Sequence, residues 1–387
     1  MRFGVDATGW LNRRGFGRFS RNAVTRLVEV DLEVEYVLLA DAGTADTGLP
    51  SGATICLVET NRPPAQAASA GSSRSLADVL RVVRSARAAR FDALLFPSLH
   101  TWFPLSAAPT VVGVHDTIAD DLPELALSRT RERALWRLKE RLAIRGARSV
   151  FTVSEISRRR IANRFGLSLD EVRVVPEAPD PVFSPRSSED VAAARATIGV
   201  PERYFLFAGG ISPHKNVTGL VDAYAERFAR MPDAPALVIV GALEGETFAS
   251  SADAVRQRIG VHDLDDRVLL PGFVSDETLA RLYTGALAFA SPSLGEGFGL
   301  PAVEAAACGA PLVLSDLPAH RESMGEAALY VAPGDTTALG DALVLVFRND
   351  ALRRSLGTEA RTRVAGRTWD EAAYALAELL RGAAAHA

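Results

Sequence analysis

Lysine is almost missing from this chain: Lys139 and Lys215 stand against 41 arginines in 387 residues. A skew of that size reflects coding bias, so arginine runs carry little information, whereas each lysine stands out. Cysteine is as scarce. Cys56 and Cys308 lie far apart in apolar contexts, which excludes a disulfide framework and a cysteine-built metal cluster. The six histidines are scattered and no Asp-x-Asp pair follows a strand-like run, so no metal is expected. No apolar run approaches the roughly 18 residues of a membrane-spanning helix. Met1 leads into the strand-like Phe3–Asp6 without a basic-then-apolar leader, and a cytoplasmic protein is the expectation. A net charge of −4, with aromatics not interleaved among basic residues, argues against nucleic-acid binding.

What is present is a globular composition, 48% hydrophobic and 23% charged, on a chain too long for one ordinary core. Apolar strand-like runs alternate with helix-like segments from end to end. One series covers Arg2–Asp6, Glu35–Ala40, Thr54–Val58, Ala93–Pro97, Thr110–Val114, Ser149–Val153 and Val172–Val175. A second covers Tyr204–Ala208, Leu237–Val240, Arg267–Leu270, Leu287–Ala290, Pro311–Leu314 and Ala328–Val331. Continuous apolar strands separated by helices call for parallel sheets covered on both faces, hence an α/β protein with two doubly wound domains. The seam is residues 176–185, where four prolines in ten positions make a stiff connector. Ala65–Ser75, rich in small residues, reads as a surface loop. Residues 1–180 carry 25 Lys+Arg against 21 Asp+Glu, and the remainder 18 against 26, so the N-terminal half is the basic one.

The most informative stretch is Ser-Pro-Ser-Leu-Gly-Glu-Gly-Phe-Gly-Leu-Pro-Ala-Val-Glu at residues 291–304, in which seven residues separate Glu296 from Glu304. A strand-like run precedes it and a helix-like run of small apolar residues follows. Pro301 suits the first helical turn, where a missing N–H is no loss. Glu296 then falls in the strand-to-helix loop and Glu304 about one turn into the helix. The helix N-terminus directs free N–H groups and its positive dipole end into the same space, which suits an anion, while the carboxylates suit hydroxyls. A sugar attached to a diphosphate has both kinds of group.

Three other loops carry chemistry. Gly209-Gly-Ile-Ser-Pro-His-Lys-Asn216 opens the second series. Its glycines let backbone approach a ligand, and Lys215 is expected at a helix start with a free ammonium, each bond to a phosphate being worth roughly 1.5–3 kcal/mol. Gly15-Phe-Gly-Arg18 is not a dinucleotide fingerprint closed by Asp41: Ser20 stands at the third glycine, and Gly15 lies nine positions after Asp6. It reads instead as a glycine loop with Arg13, Arg14 and Arg18 nearby. His115 and Asp116 end a buried strand at its carboxyl edge, where open α/β sheets bind ligands, and Ser154, Glu155 and Ser157 occupy the analogous edge of a later strand. The segment 129–148 is a basic amphipathic helix with Leu135, Trp136, Leu138, Leu142 and Ile144 as its apolar side, a pattern able to lie on an anionic membrane.

The acidic motif resembles the Glu-x7-Glu signature of retaining glycosyltransferases of the family 4 type, and the resemblance runs over most of the chain. It implies the GT-B architecture: two Rossmann-like doubly wound domains facing a central cleft, the last helix crossing back to the first. The expected domains are 1–185 with a terminal helix at about 369–387, and 186–368. It further implies a retaining, metal-independent hexosyltransferase using a nucleotide-diphosphate sugar as substrate, with no cofactor. His115, Asp116, Glu296 and Lys215 are expected to carry the chemistry, Glu296 on the sugar and Lys215 on phosphate. Gly15, Gly17, Arg18, Gly209, Gly210, His214, Gly297, Phe298, Gly299 and Leu300 would line the nucleotide site, and Glu304 would hold the ribose. The family's phosphate-binding arginine position is Gly210 here, leaving His214 or Arg18 to substitute. GDP-mannose is the first expectation for the donor. The acceptor, a glycan, a lipid-linked or a small molecule, is expected to be anionic or lipid-linked, with peripheral contact at the inner membrane face through the 129–148 helix. A sugar-nucleotide epimerase and a non-catalytic scaffold of the same architecture remain open.

Overall fold

A computed structural model of the chain describes residues 1–387 except 13, 46, 60–75, 105–107, 128, 243–250 and 386–387. Arg13 and the loop expected at Ala65–Ser75 lie outside the described residues. The chain divides into two units, residues 1–177 with 368–387, and residues 178–367.

The first unit holds β1 (Arg2–Asp6), β2 (Glu35–Ala40), β3 (Thr54–Leu57), β4 (Ala93–Phe96), β5 (Thr110–Gly113), β6 (Ser149–Thr152) and β7 (Val172–Val174). They form one parallel sheet in the order β3-β2-β1-β4-β5-β6-β7. The second unit holds β8 (Tyr204–Ala208), β9 (Ala236–Val240), β10 (Val268–Gly272), β11 (Ala288–Ser291), β12 (Leu312–Ser315) and β13 (Leu329–Val331). Their parallel sheet has the matching order β10-β9-β8-β11-β12-β13. The thirteen strands fall on the thirteen apolar runs, with ends displaced by at most two residues.

Position in the sheet explains composition. Every residue of β8 and β9 is buried, as strands covered by helices on both faces must be. β3 is an edge strand, and there Ile55 is 42% and Leu57 61% exposed.

Within 176–185 the second half of the proline-rich stretch goes with the second unit. The Phe183 ring meets that of Tyr283 at 5.9 Å, and the Arg186 N–H donates to Thr284 Oγ1 at 3.3 Å. At the other end, helix Trp369–Ala385 returns to the first unit. Trp369 packs edge-on against Phe19 at 5.9 Å, Arg26 pairs with Asp370, and Arg381 donates to Asp31 at 2.6 Å. Its buried stripe is Trp369, Ala372, Ala373, Leu376, Ala377, Leu380 and Ala383, with Leu379 half-buried beside it.

Candidate active site

Both sheets reverse their winding at one place, between β1 and β4 in the first unit and between β8 and β11 in the second. Strand connections leave in opposite directions there, so a crevice opens outside the carboxyl ends of the two strands. In the second unit the chain segments leaving β8 and β11 at this point are residues 209–216 and 292–299, the two loops singled out by sequence.

These loops are bonded to each other. The Leu294 N–H donates to the His214 carbonyl at 2.7 Å. Lys215, at the end of a single 3-10 turn (Pro213–Lys215), donates from Nζ to Glu296 Oε1 at 2.6 Å. Ser293 Oγ donates to the same oxygen at 2.7 Å. The ammonium expected to be free is therefore paired. Glu296 is 7% exposed. Burial alone would push its carboxyl up, but the Lys215 charge, His320 and the two hydrogen bonds outweigh that and hold it at about 2. Glu296 is thus an ionised acceptor at neutral pH. Gly209 has φ +145°, its N–H bonds to the Val240 carbonyl at 3.0 Å, and a Cβ on Gly241 would stand 2.3 Å from the Gly209 carbonyl oxygen. The glycines here permit close backbone approach.

After Glu296 the chain passes Gly297 and the buried Phe298, whose ring faces the Arg367 guanidinium at 5.9 Å, and enters helix Leu300–Ala307. Gly299 caps it at φ +90°, and Pro301 stands in the first turn as expected. Glu304, 2% exposed, is one turn further along this helix, and Leu300 is buried beside the cap. Burial first and Glu304 second push the Cys308 thiol up to about 12. The imidazole of His320, from helix Pro318–Met324 beyond β12, closes on Gly299: a Cβ there would lie 2.8 Å from His320 Cδ2.

In the first unit Gly15 and Gly17 do not form a loop. They are inside the first turn of helix Gly15–Val30, with Arg14 as N-cap. The reason is local: the Arg14 N–H is held by Asn12 Oδ1 at 2.8 Å, and a Cβ on Gly17 would be 2.0 Å from the Asn12 carbonyl oxygen. Arg18 continues the helix, its N–H on the Arg14 carbonyl at 3.0 Å. Phe16 stacks on His100, in the turn after β4, at 4.8 Å, and Phe19 meets His115 edge-on at 4.7 Å.

His115 Nε2 lies 2.8 Å from the Pro97 carbonyl, which can only accept, so Nε2 carries the proton and Nδ1 is an acceptor. Burial, partly offset by that hydrogen bond, pushes His115 down to about 4, so the ring is neutral near pH 7. Asp116 Oδ1 accepts the Ile118 N–H at 2.9 Å, closing a turn. Ser154 caps helix Glu155–Phe165 by accepting the Ser157 N–H at 3.0 Å, and Glu155 pairs with Arg158 at 2.9 Å. These three are tied into a helix start.

The basic helix spans Thr130–Gly146, but its apolar side is split. Trp136, Ala143 and Ile144 are buried together with Glu140, whereas Leu135, Leu138 and Leu142 are 66%, 54% and 50% exposed. Burial first, then the neighbouring Asp120, push the Glu140 carboxyl up to about 9, so it is protonated near pH 7. A neutral carboxyl can share the buried face with Trp136, Ala143 and Ile144.

Sequence reasoning passed over Ser293 and His320. Ser293 stood inside the quoted motif, three residues from Glu296, and its hydroxyl was a readable signal. Nothing in the sequence marked His320, which reaches Gly299 only through the packing of a later helix. Among the described residues no group of three or more His, Cys, Asp or Glu is arranged to hold a metal ion.

Two Rossmann-like units, the last helix returned to the first and an anion-suited loop pair at a switch point together define the GT-B class of fold. Residues 190–363 match the family described as Glycosyl transferases group 1, and residues 13–182 match Glycosyltransferase Family 4. The D-inositol 3-phosphate glycosyltransferase of Kineococcus radiotolerans is 30% identical over 309 residues, 76% of this chain and 67% of that protein. O-antigen chain mannosyltransferase B of Escherichia coli is 30% identical over 212 residues, 54% of this chain and 53% of that protein. Among solved structures, Anabaena HepE in complex with UDP and glucose has a TM-score of 0.74 at 20% identity, covering 98% of this chain and 99% of that one. The chain belongs to the glycosyltransferases, an enzyme family, and is related in its two halves to the group 1 and family 4 types. The two curated relatives are matched over only about half to two thirds of their own lengths.

Proposed function

We propose that this enzyme transfers a sugar from a nucleotide-diphosphate sugar to an acceptor with retention of anomeric configuration, and that GDP-mannose is the donor. One observation carries the reading: Lys215 and the buried Glu296, from the two loops that leave the switch point of the second sheet, form one partly buried ion pair. Lys215 supplies positive charge to the diphosphate, joined by the N-terminus of helix Leu300–Ala307. Glu296 accepts from donor-sugar hydroxyls and Glu304 from those of the ribose. Gly209, Gly210, Gly297 and Gly299 allow backbone to approach the phosphates. The mannosyltransferase among the relatives supports the choice of sugar. The HepE complex makes UDP the base to test beside GDP.

In the transfer step the bond between the anomeric carbon and the diphosphate oxygen breaks as the acceptor oxygen bonds on the same face. The acceptor's proton passes to the departing phosphate oxygen. Lys215 and the helix terminus stabilise that developing charge without a metal ion. In the first unit His115 offers a neutral Nδ1 to a hydroxyl. Asp116 has one oxygen committed to its turn, and a glycosyl group trapped covalently on Asp116 or Glu296 would overturn the front-face step.

The decisive experiment is a thermal-shift panel of nucleotide sugars followed by assay of released nucleotide diphosphate. A ligand at 100-fold its Kd stabilises by roughly 2.7 kcal/mol. GDP-mannose should give the largest shift, and a sugar isomerised without acceptor would mark an epimerase instead. Absence of binding by every nucleotide sugar would leave only a scaffold.

The acceptor side is proposed to meet an anionic membrane at its inner face through helix Thr130–Gly146. Leu135, Leu138 and Leu142 recur at i, i+3 and i+7 with Arg131, Arg141 and Arg145 exposed beside them, an arrangement suited to a lipid interface. Among the described residues no helix is long and apolar enough to cross a membrane.

A further inference from the structure

The diphosphate site proposed above has a deficit of positive charge. The charge of Lys215 is matched by Glu296 at 2.6 Å, and glycine stands at position 210, where the family resemblance implies an arginine. An arriving diphosphate adds at least two negative charges to a locally neutral pair.

His320 is fully buried in helix Pro318–Met324. Its Nδ1 lies 2.8 Å from the Ser315 carbonyl, so Nδ1 carries the proton in the neutral ring and Nε2 presents a lone pair. Nε2 is buried without a hydrogen-bond partner among the described residues, a condition that is uncommon in native structures. The edge that carries it faces Gly299, the cap of helix Leu300–Ala307: a Cβ at that position would lie 2.8 Å from Cδ2 and 3.2 Å from Nε2. The orphan nitrogen is thus aimed at the turn between Glu296 and the helix N-terminus.

We infer that His320 is the second cation of this site, made on demand. A proton from solvent adds to Nε2 as a nucleoside diphosphate binds, and it leaves again when the nucleotide departs. The inference rests on the diphosphate lying at Lys215 and the Gly299 cap. Burial holds the ring neutral, opposed by Glu296 and aided by Lys215. Packed against the same helix, the Tyr330 hydroxyl donates to the His320 carbonyl at 3.3 Å, and Arg363 and Arg367 donate to the Ser323 carbonyl at 3.4 and 2.7 Å. These groups sit at the backbone end, so the charge that changes on binding is the ligand's own.

Calorimetry of GDP, and separately UDP, binding at pH 8 in buffers of differing ionisation enthalpy tests this. Both nucleotides are fully ionised at that pH, because a terminal phosphate titrates near pH 6. Wild-type protein should take up close to one proton per bound nucleotide. The uptake should persist in His214→Gln and vanish in His320→Gln, with affinity in the latter reduced several-fold. Binding with no buffer dependence, or uptake retained in His320→Gln, overturns the inference and leaves the diphosphate site standing. Failure of both nucleotides to bind overturns both. Should His320→Gln fail to fold, nitrogen-15 histidine spectra of the wild type decide: one imidazole must change from neutral to doubly protonated on adding GDP, and unchanged spectra sink the idea.

Discussion

Lys215 and Glu296, 81 residues apart in sequence, meet at 2.6 Å with Ser293 on the same carboxylate oxygen. Each belongs to a loop at the carboxyl end of a strand beside the sheet's reversal point, so the pair is a product of winding order rather than of local sequence.

Breaking that pair separates two kinds of binding. Lys215→Ala removes a phosphate partner and leaves a buried carboxylate uncompensated, which costs about 3–5 kcal/mol in stability unless Glu296 takes up a proton. Affinity for a nucleoside diphosphate should fall roughly 10- to 100-fold, with nucleoside affinity nearly unchanged. Equal losses for both ligands in calorimetry would remove Lys215 from the phosphate.

The same pair shapes acid stability. Native Glu296 titrates at about 2 against a reference of 4.5, so its stabilising contribution is complete above 4.5 and disappears as pH falls toward 2. The full effect is about 3 kcal/mol. Glu296→Gln should flatten that limb of the Tm-versus-pH curve and reduce transfer at least 100-fold. A mutant curve parallel to wild type between pH 5 and pH 2 would contradict the assignment.

Glu140 behaves in the opposite sense. In the native protein it keeps its proton up to about pH 9, whereas the unfolded chain releases it near 4.5, so stability is lost as pH rises through that window. Glu140→Gln should therefore raise stability at pH 8 by about 1–3 kcal/mol and change little at pH 4. Denaturant titrations at the two pH values read the difference directly, and a mutant destabilised at pH 8 would refute a neutral Glu140.

The exposed leucines give a membrane test. Co-sedimentation with vesicles containing phosphatidylglycerol should be reduced at least fivefold in a Leu135→Ser, Leu138→Ser, Leu142→Ser triple variant, and neutral vesicles should bind neither protein. Since all three side chains are half or more exposed, Tm should hardly move. Undiminished binding by the variant would remove this helix from the membrane.

Much of the fold was legible because strand burial writes itself into composition. Tyr204–Ala208 and Leu237–Val240 are apolar throughout, and only a parallel sheet covered on both faces asks for that. The start of helix Leu300–Ala307 was equally readable, since Pro301 suits a first turn and stands there, whereas the left-handed Gly299 that caps it came only with the structure. The opposite case is Gly15-Phe-Gly-Arg18, expected as a loop and found as helix, because Asn12 holds the Arg14 N–H and starts the helix early. Helix Thr130–Gly146 misled in a similar way. Its five apolar residues were read as one side, but the structure buries Trp136 and Ile144 and leaves Leu135, Leu138 and Leu142 exposed, because which part of a helix is covered depends on the neighbouring elements.

By itself the amino-acid sequence determined the two series of buried strands, the proline seam, the acidic loop before Leu300 and the presence of a lysine five residues after Gly210 in the loop that follows the second series' first strand. Those are properties of short segments, set by side-chain volume, polarity and backbone freedom. Only the tertiary structure decided that Lys215 is bound to Glu296, that His320 closes on Gly299, and that Leu135, Leu138 and Leu142 face outward. Each of these depends on where distant helices and strands are stacked, and stacking is the summed result of burying every element at once.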